Sequence, residues 1–357
     1  MPTIHGVFLT KAQFLRLTGD PSQAFGIRPV LLTGGKEQLT QVLQVDLASG
    51  LSYQVCPSKG LDLIDLHYRG ISLGFVSKAG LHSPFLADEQ GLAYRYTLGA
   101  GFLYTAGLSN VGMYCEDEDN YHYAHGSLKN TPADNLCAQV AWRGDDCDAR
   151  ISGDVRDSAF FGRNLLLHRE ICAHIGDTRL TIRDTIENQS CEKEALMLLY
   201  HMNLGYPLLD EGARLLAPVE RLAPMSEHTR KNDAAYDRMT APEDGNQEYL
   251  YALTLAADAH GETGAALYNP RLGFGLYVRF PKQVLRRLII WKCMRSGDYA
   301  LGILPATCTP IGRTAARASG EIQTLAPYES LETRLEIGIL ENEHQAQCFC
   351  ASLGIAW

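Results

Sequence analysis

The chain has 357 residues, 46% of them hydrophobic, and a formal net charge of -9. That composition supports a sizeable core and lies far from a disordered one. Phosphate-backbone binding needs clustered Lys and Arg, and an anionic membrane repels an acidic surface, so neither nucleic acid nor membrane is an expected partner; a local basic pocket for an anionic small molecule stays open.

The N-terminal MPTIHGVFLTKAQFLRLTGD has no basic segment leading into an apolar core and a small-residue cleavage site, so no secretory signal is expected. No stretch reaches the roughly 18 consecutive apolar residues of a membrane span. The ten cysteines are dispersed, with only a CxC at Cys348 and Cys350. In a chain this long they read as reduced structural thiols of a cytoplasmic protein. Thr10 to Leu17 reads as a short helix, with Thr10 as cap, Phe14, Leu15 and Leu17 on its apolar side, and Pro21 beyond its end. Residues 1–35 are expected to form an extension packed on one main domain, 36–357.

Period-two alternation dominates the main domain. Leu165, Leu167, Ile171, Ala173 and Ile175 share a face that Arg169 interrupts. Gly176-Asp177 fits a two-residue hairpin loop in which Gly opens a type II′ turn. Leu180, Ile182 and Ile186 alternate until Asn188-Gln189-Ser190. Glu194 to Leu204 puts Leu196, Leu198, Tyr200 and Met202 on one face and Met197, Leu199, His201 and Asn203 on the other. Further strands are predicted at Phe274 to Phe280, Val284 to Cys293, Tyr299 to Leu304 and Leu331 to Ile339. Ser226 to Gln247 reads as a long polar loop, and Ala315 to Ala318 is too short to count as a helix. Closely spaced strands broken by Gly, Pro and Asn predict an all-β fold of antiparallel sheets with few short helices.

Two histidine neighbourhoods stand out. In Tyr121-His122-Tyr123-Ala124-His125-Gly126, residues three apart on an extended backbone face opposite ways, so His122 and His125 need not act together. Surface loop histidines are the plain alternative. In Tyr200-His201-Met202-Asn203-Leu204-Gly205-Tyr206-Pro207, His201 and Asn203 project to one side of a strand. An imidazole moves protons near neutral pH, and an amide hydrogen-bonds hydroxyls. A core histidine bonded to a backbone carbonyl is the alternative there. GxSxG, GxxxxGK[ST] and GxGxxG are absent; Gly99-Ala100-Gly101 lacks the third Gly and the helix of a dinucleotide loop. A divalent metal on His125, His201 and an acidic group stays open, though no HxH or HExxH spacing supports it. Cys115 lies beside the acidic run Glu116 to Asp119, which disfavours its thiolate.

Six elements then occur in order. They are Lys59-Gly60-Leu61-Asp62; Gly101-Phe102-Leu103-Tyr104-Thr105-Ala106-Gly107-Leu108; His125-Gly126 with Thr131-Pro132-Ala133; the stretch from Tyr200 to Leu209; Trp291-Lys292; and Leu325-Ala326-Pro327-Tyr328-Glu329. Together, from about Lys59 to Leu340, they resemble the DUF4432, aldose-1-epimerase-like family of the galactose mutarotase-like superfamily. The resemblance implies a β-supersandwich with an open sugar-binding face; no cofactor is expected beyond the divalent metal left open above. It also implies acid–base chemistry at an anomeric carbon, with His201 as acid and His125 holding the sugar. One departure matters. Gly302-Ile303-Leu304-Pro305-Ala306-Thr307 stands where the resemblance implies a Glu base, and Leu304 cannot accept a proton. Glu329 and Glu211, with Asp210, are the nearest replacements by sequence context. Lys292, Asp62 and His122 join Asn203 as candidate substrate-binding residues. Three readings are compatible with these residues: a sugar epimerase or isomerase; a lyase or isomerase of a keto-sugar or uronate, with metal assistance open; and a carbohydrate-binding protein that has lost its base. The partner in each is a small-molecule sugar, and an oligomer stays open.

Overall fold

The computed structural model describes residues 2–99, 101–117, 120–232 and 235–357. Ala100 of the Gly-Ala-Gly stretch, Glu118 and Asp119 of the acidic run, and Asp233 and Ala234 of the polar loop lie outside the described residues. Three antiparallel sheets form the body of an all-β fold. The first has eight strands, in the order Asp134–Arg143, Asp146–Ser158, Asn164–His174, Arg179–Asn188, Ser330–Leu340, Phe274–Pro281, Glu262–Asn269 and Arg214–Leu216. The second runs Val219–Pro224, Tyr249–Leu255, Arg287–Arg295, Asp298–Ala306, Glu194–Leu204 and Gln323–Leu325, with Leu103–Leu108 also paired to Glu194–Leu204. The third has five strands: Gly26–Leu31, Gln41–Asp46, Leu51–Cys56, Asp62–Tyr68 and Ile71–Ser72.

The alternating strands lie where their pattern places them, and their core faces meet between the sheets. Leu165, Leu167, Ile171 and Ala173 pack with Leu196, Leu198, Tyr200 and Met202 in one large apolar cluster. Arg169 does not break that face. It is fully buried and ties three parts of the chain together. Nε and Nη2 donate to the two oxygens of Asp184 at 2.8 and 2.6 Å, and Nη1 donates to Asp62 at 2.6 Å. The Tyr200 hydroxyl donates to Asp184 at 2.6 Å. Thr105 gives its backbone N–H and its hydroxyl to Asp62. Burial opposes the guanidinium charge, but Asp184 and Asp62 outweigh it and push the pKa of Arg169 up.

Other expectations shift at their edges. The helix Lys11–Leu17 has Thr10 as its cap, closed reciprocally by Gln13. Only Phe14 is buried; Leu15 and Leu17 are exposed. The connection after Asn164–His174 has four residues, 175–178, and not the two expected: Asp177 N–H donates to the His174 carbonyl, which makes Gly176, at φ 92°, the third residue of the turn and not its opening one. Arg313–Ala318 does form a helix of six residues, and the polar loop carries a second, Glu227–Asn232. The edge near residue 35 falls inside one sheet, because Gly26–Leu31 pairs along its whole length with Gln41–Asp46. All ten cysteines are unpaired. No described helix is long and apolar enough to cross a membrane.

Candidate functional site

The outer face of the second sheet floors a cleft of about 800 Å³. Its register fixes what lies side by side. His201 pairs directly with Tyr104. On its other side, the ladder that pairs Leu199 with Ala306 and Met202 with Ile303 puts Leu304 opposite His201. Leu304 in turn pairs with Ile289. One row across the floor is therefore Tyr104, His201, Leu304 and Ile289. Asn203, Gly302 and Trp291 make the next row. A side chain at Gly302 would press on Trp291 and Leu304, so glycine leaves room for the indole on this floor.

His125 reaches the same place from a loop. It adopts φ 58° and is followed by Gly126 at φ 70°. Two successive left-handed residues turn the chain sharply over the neighbouring strand. A Cβ on Gly126 would overlap the Gly107 carbonyl, and one on Gly107 would overlap the Met197 carbonyl. Loop and both strands thus stack backbone to backbone. The His125 N–H donates to Gly112 O, and Gly107 N–H donates to His125 O. Buried Lys129 ties the loop from below, donating to the Ala124 and Gly126 carbonyls and to Glu89. Asn110 Nδ2 donates to the Tyr123 and Met113 carbonyls.

The outcome is a compact aromatic cluster. The His125 and His201 rings lie 5.7 Å apart at 89°. Tyr104 stacks on His201 at 4.5 Å and meets His125 edge-on at 6.1 Å. Trp291 meets the other side of His201 at 5.9 Å. Nδ1 of each histidine is buried without a hydrogen-bond partner among the described residues, as is the Asn203 Oδ1. Burial lowers the His201 pKa to about 4, and burial followed by repulsion from His201 and Lys129 holds His125 well below its ordinary value. Burial therefore favours the neutral form of both imidazoles and makes each a weaker base than a free one.

The candidate residues separate cleanly. His125, His201 and Asn203 line the cleft. The Asn203 amide N–H groups are spent on the Gly101 and His201 carbonyls, so only Oδ1 remains for a ligand. Asp62 is corrected to a structural role, being buried and saturated by Arg169 and Thr105. Lys292 is also corrected: it follows Trp291 on the strand, so it points to the other face, where Nζ donates to the Ala235 and Arg238 carbonyls at 2.7 Å. His122 lines a different cavity, with Arg163 and Arg313. Glu329 caps a turn through Ala326 N–H, and Glu211 lies exposed in a turn beside Asp210, which pairs with Arg271. None of these carboxylates lines the cleft.

Two other carboxylates do: Asp298, paired with Lys78 at 2.7 Å, and Glu248, which accepts the Trp291 Nε1–H at 2.6 Å. Glu248 precedes the strand Tyr249–Leu255, and pairing of Tyr249 with Lys292 is what brings it to the Trp291 strand. The sequence pattern ends its polar loop at Gln247 and passes over Glu248. Trp291 in the resembling elements was the available signal, but only its indole hydrogen bond identifies the partner. Among the described residues, no cluster of three or more His, Cys, Asp or Glu could hold a metal ion.

The comparisons fit this architecture. A Klebsiella pneumoniae protein provisionally called an aldose 1-epimerase superposes with TM-score 0.88 at 23% identity, over 97% of this chain and 90% of that one. A galactose mutarotase-like protein from Clostridium acetobutylicum gives TM-score 0.59 at 14% identity, over 88% and 98%. Galactose 1-epimerase from Lactobacillus acidophilus gives 0.57 at 13% identity, over 90% and 100%. No curated protein matches the sequence. The family model for the domain of unknown function DUF4432 matches residues 37–339, most of the chain, and the chain belongs to that family.

Proposed function

We propose that this protein interconverts the anomers of a sugar, as an isomerase of the aldose 1-epimerase kind. The observation that carries the reading is the meeting of His125 and His201, 5.7 Å apart, on the floor of a cleft large enough for a sugar. Trp291 supplies an aromatic wall against which a sugar's C–H face can pack. The names borne by the Klebsiella and Lactobacillus structures support the same chemistry.

The neutral state of the rings sets their role. His201 accepts the proton of the anomeric hydroxyl as the C1–O5 bond breaks and its electron pair goes to O5. O1 and O5 share C1, so the imidazolium formed can return the same proton to O5. This gives the open aldehyde. Rotation about C1–C2 and the reverse steps close the other anomer, with no net change in protons. His125 positions the sugar beside His201, and Glu248 fixes the Trp291 indole against which the sugar packs.

Exchange spectroscopy on a panel of aldoses tests this. His201→Ala is expected to slow catalysed exchange by roughly 100-fold or more. The wild-type rate is expected to stay level in neutral solution and to fall as pH drops through about 4, where His201 gains its proton and ceases to be a base. A rate that rises toward acid would make the imidazolium the working form and overturn the assignment. A neutral imidazole also suits removal of a C–H proton beside a carbonyl, the reaction a keto-sugar or uronate would undergo. Solvent deuterium entering a substrate carbon selects that second reading.

A further inference from the structure

The proposed proton transfers leave two groups of the cleft unused. Arg95 lies in the helical turn Ala93–Tyr96, and Arg295 ends the strand Arg287–Arg295. Both line the cleft and both are exposed. Neither has an ion pair or side-chain hydrogen bond among the described residues. The contrast with their surroundings is specific. The cleft's two carboxylates are engaged, Glu248 by the Trp291 N–H and Asp298 by Lys78. Some exposed arginines elsewhere are paired, as Arg143 is with Asp148 and Arg271 with Asp210, and others, such as Arg28, are not among the described residues, so the two in the cleft matter for where they stand. Two guanidinium groups without partners among the described residues share the cleft with those two engaged carboxylates, so an entering anion meets free donors there. A guanidinium fork matches the two oxygens of a carboxylate or phosphate, and a low-dielectric cleft focuses its field.

The placement of Arg295 says which end of a ligand it meets. Trp291, Cys293 and Arg295 alternate onto the cleft side of one strand. At about 3.3 Å per residue, Arg295 lies roughly 13 Å along the sheet from Trp291. An anion held there is remote from the imidazoles.

We propose that the substrate is an anionic sugar, whose carboxylate or phosphate, at the end away from its anomeric carbon, is held by Arg95 and Arg295. The proposal rests on the sugar-isomerase reading and narrows it to a substrate class.

The test measures binding to the full chain by ligand-observed NMR. The probes are glucose and galactose, glucuronate and galacturonate, and the two hexose 6-phosphates. At least one anionic sugar is expected to bind about 10-fold or more tightly than its neutral parent, with the preference weakening in high salt. The acid and phosphate arms tell the two anions apart. Arg95→Gln and Arg295→Gln are each expected to cut the anionic-to-neutral affinity ratio severalfold, and the double variant to bring it near one. Equal affinity for neutral and anionic sugars, or a preference that survives the double variant, overturns the proposal. If neutral sugars bind without an anion preference and exchange in a His201-dependent way, this inference falls alone. If none of the six probes binds, it falls together with the isomerase reading.

Discussion

Leu304 and His201 face each other across one ladder, and that pair sets the electrostatics of the cleft. A carboxylate at 304 would hold His201 in its charged form. Leucine instead adds hydrocarbon beside Tyr104, Leu199 and Ile289, and burial of this kind is what lowers the His201 pKa to about 4. Leu304 thus leaves the histidine opposite neutral, and less basic than a free imidazole. Leu304→Glu is expected to raise the pH at which His201 titrates from about 4 to its ordinary 6.5 or beyond, as read from the imidazole resonances in an NMR pH series. An unchanged titration in a folded variant would mean that the two side chains do not interact. Glu248 answers a different need. Its hydrogen bond to Trp291 fixes the aromatic wall of the cleft.

The strands Asp62–Tyr68, Leu103–Leu108, Asn164–His174 and Glu194–Leu204 span all three large sheets, the second and fourth sharing one, and Arg169 is the group on which they converge. Its partner Asp62 also holds both polar groups of Thr105, the neighbour of Tyr104, so the network lies directly beneath the aromatic cluster. Arg169→Met keeps the side-chain volume but strands two buried carboxylates. The expected cost is about 3–5 kcal/mol of unfolding free energy, measured in denaturant. A loss below about 1 kcal/mol would show that the network adds little net stability. The strand carrying Arg169 was legible from its alternation, yet the pattern marks the arginine only as an interruption. Its partners sit on chain segments 107 and 15 residues away in sequence, and no local pattern names them. Likewise, the HG and GL elements were visible as motifs. Their cause, carbonyls of neighbouring strands lying where a Cβ would be, is a property of the packed chain.

At the scale of the molecule, the N-terminal residues are built into the body of the fold. Phe14 stacks on Phe25 at 5.1 Å and meets Trp142 at 6.0 Å, which joins the first helix to the edge of the eight-stranded sheet. Phe14→Ala is expected to cost about 3 kcal/mol in denaturant unfolding while leaving the histidine resonances of the cleft in place. A loss under about 1 kcal/mol would mark that segment as an appendage. The class of fold and the two candidate histidines are legible in the residue order alone, because strand alternation is a period of two residues and each histidine stands in a local motif. Which carboxylates and cations share their cleft is set only when the chain folds. Glu248, Arg95 and Arg295 arrive there through cross-strand register and loop docking, while Glu329, Glu211, Asp62 and Lys292 are carried elsewhere by the same forces. Strand pairing joins residues by position in a sheet and not by distance along the chain, so the composition of a site built on three or four strands cannot be read from any one of them.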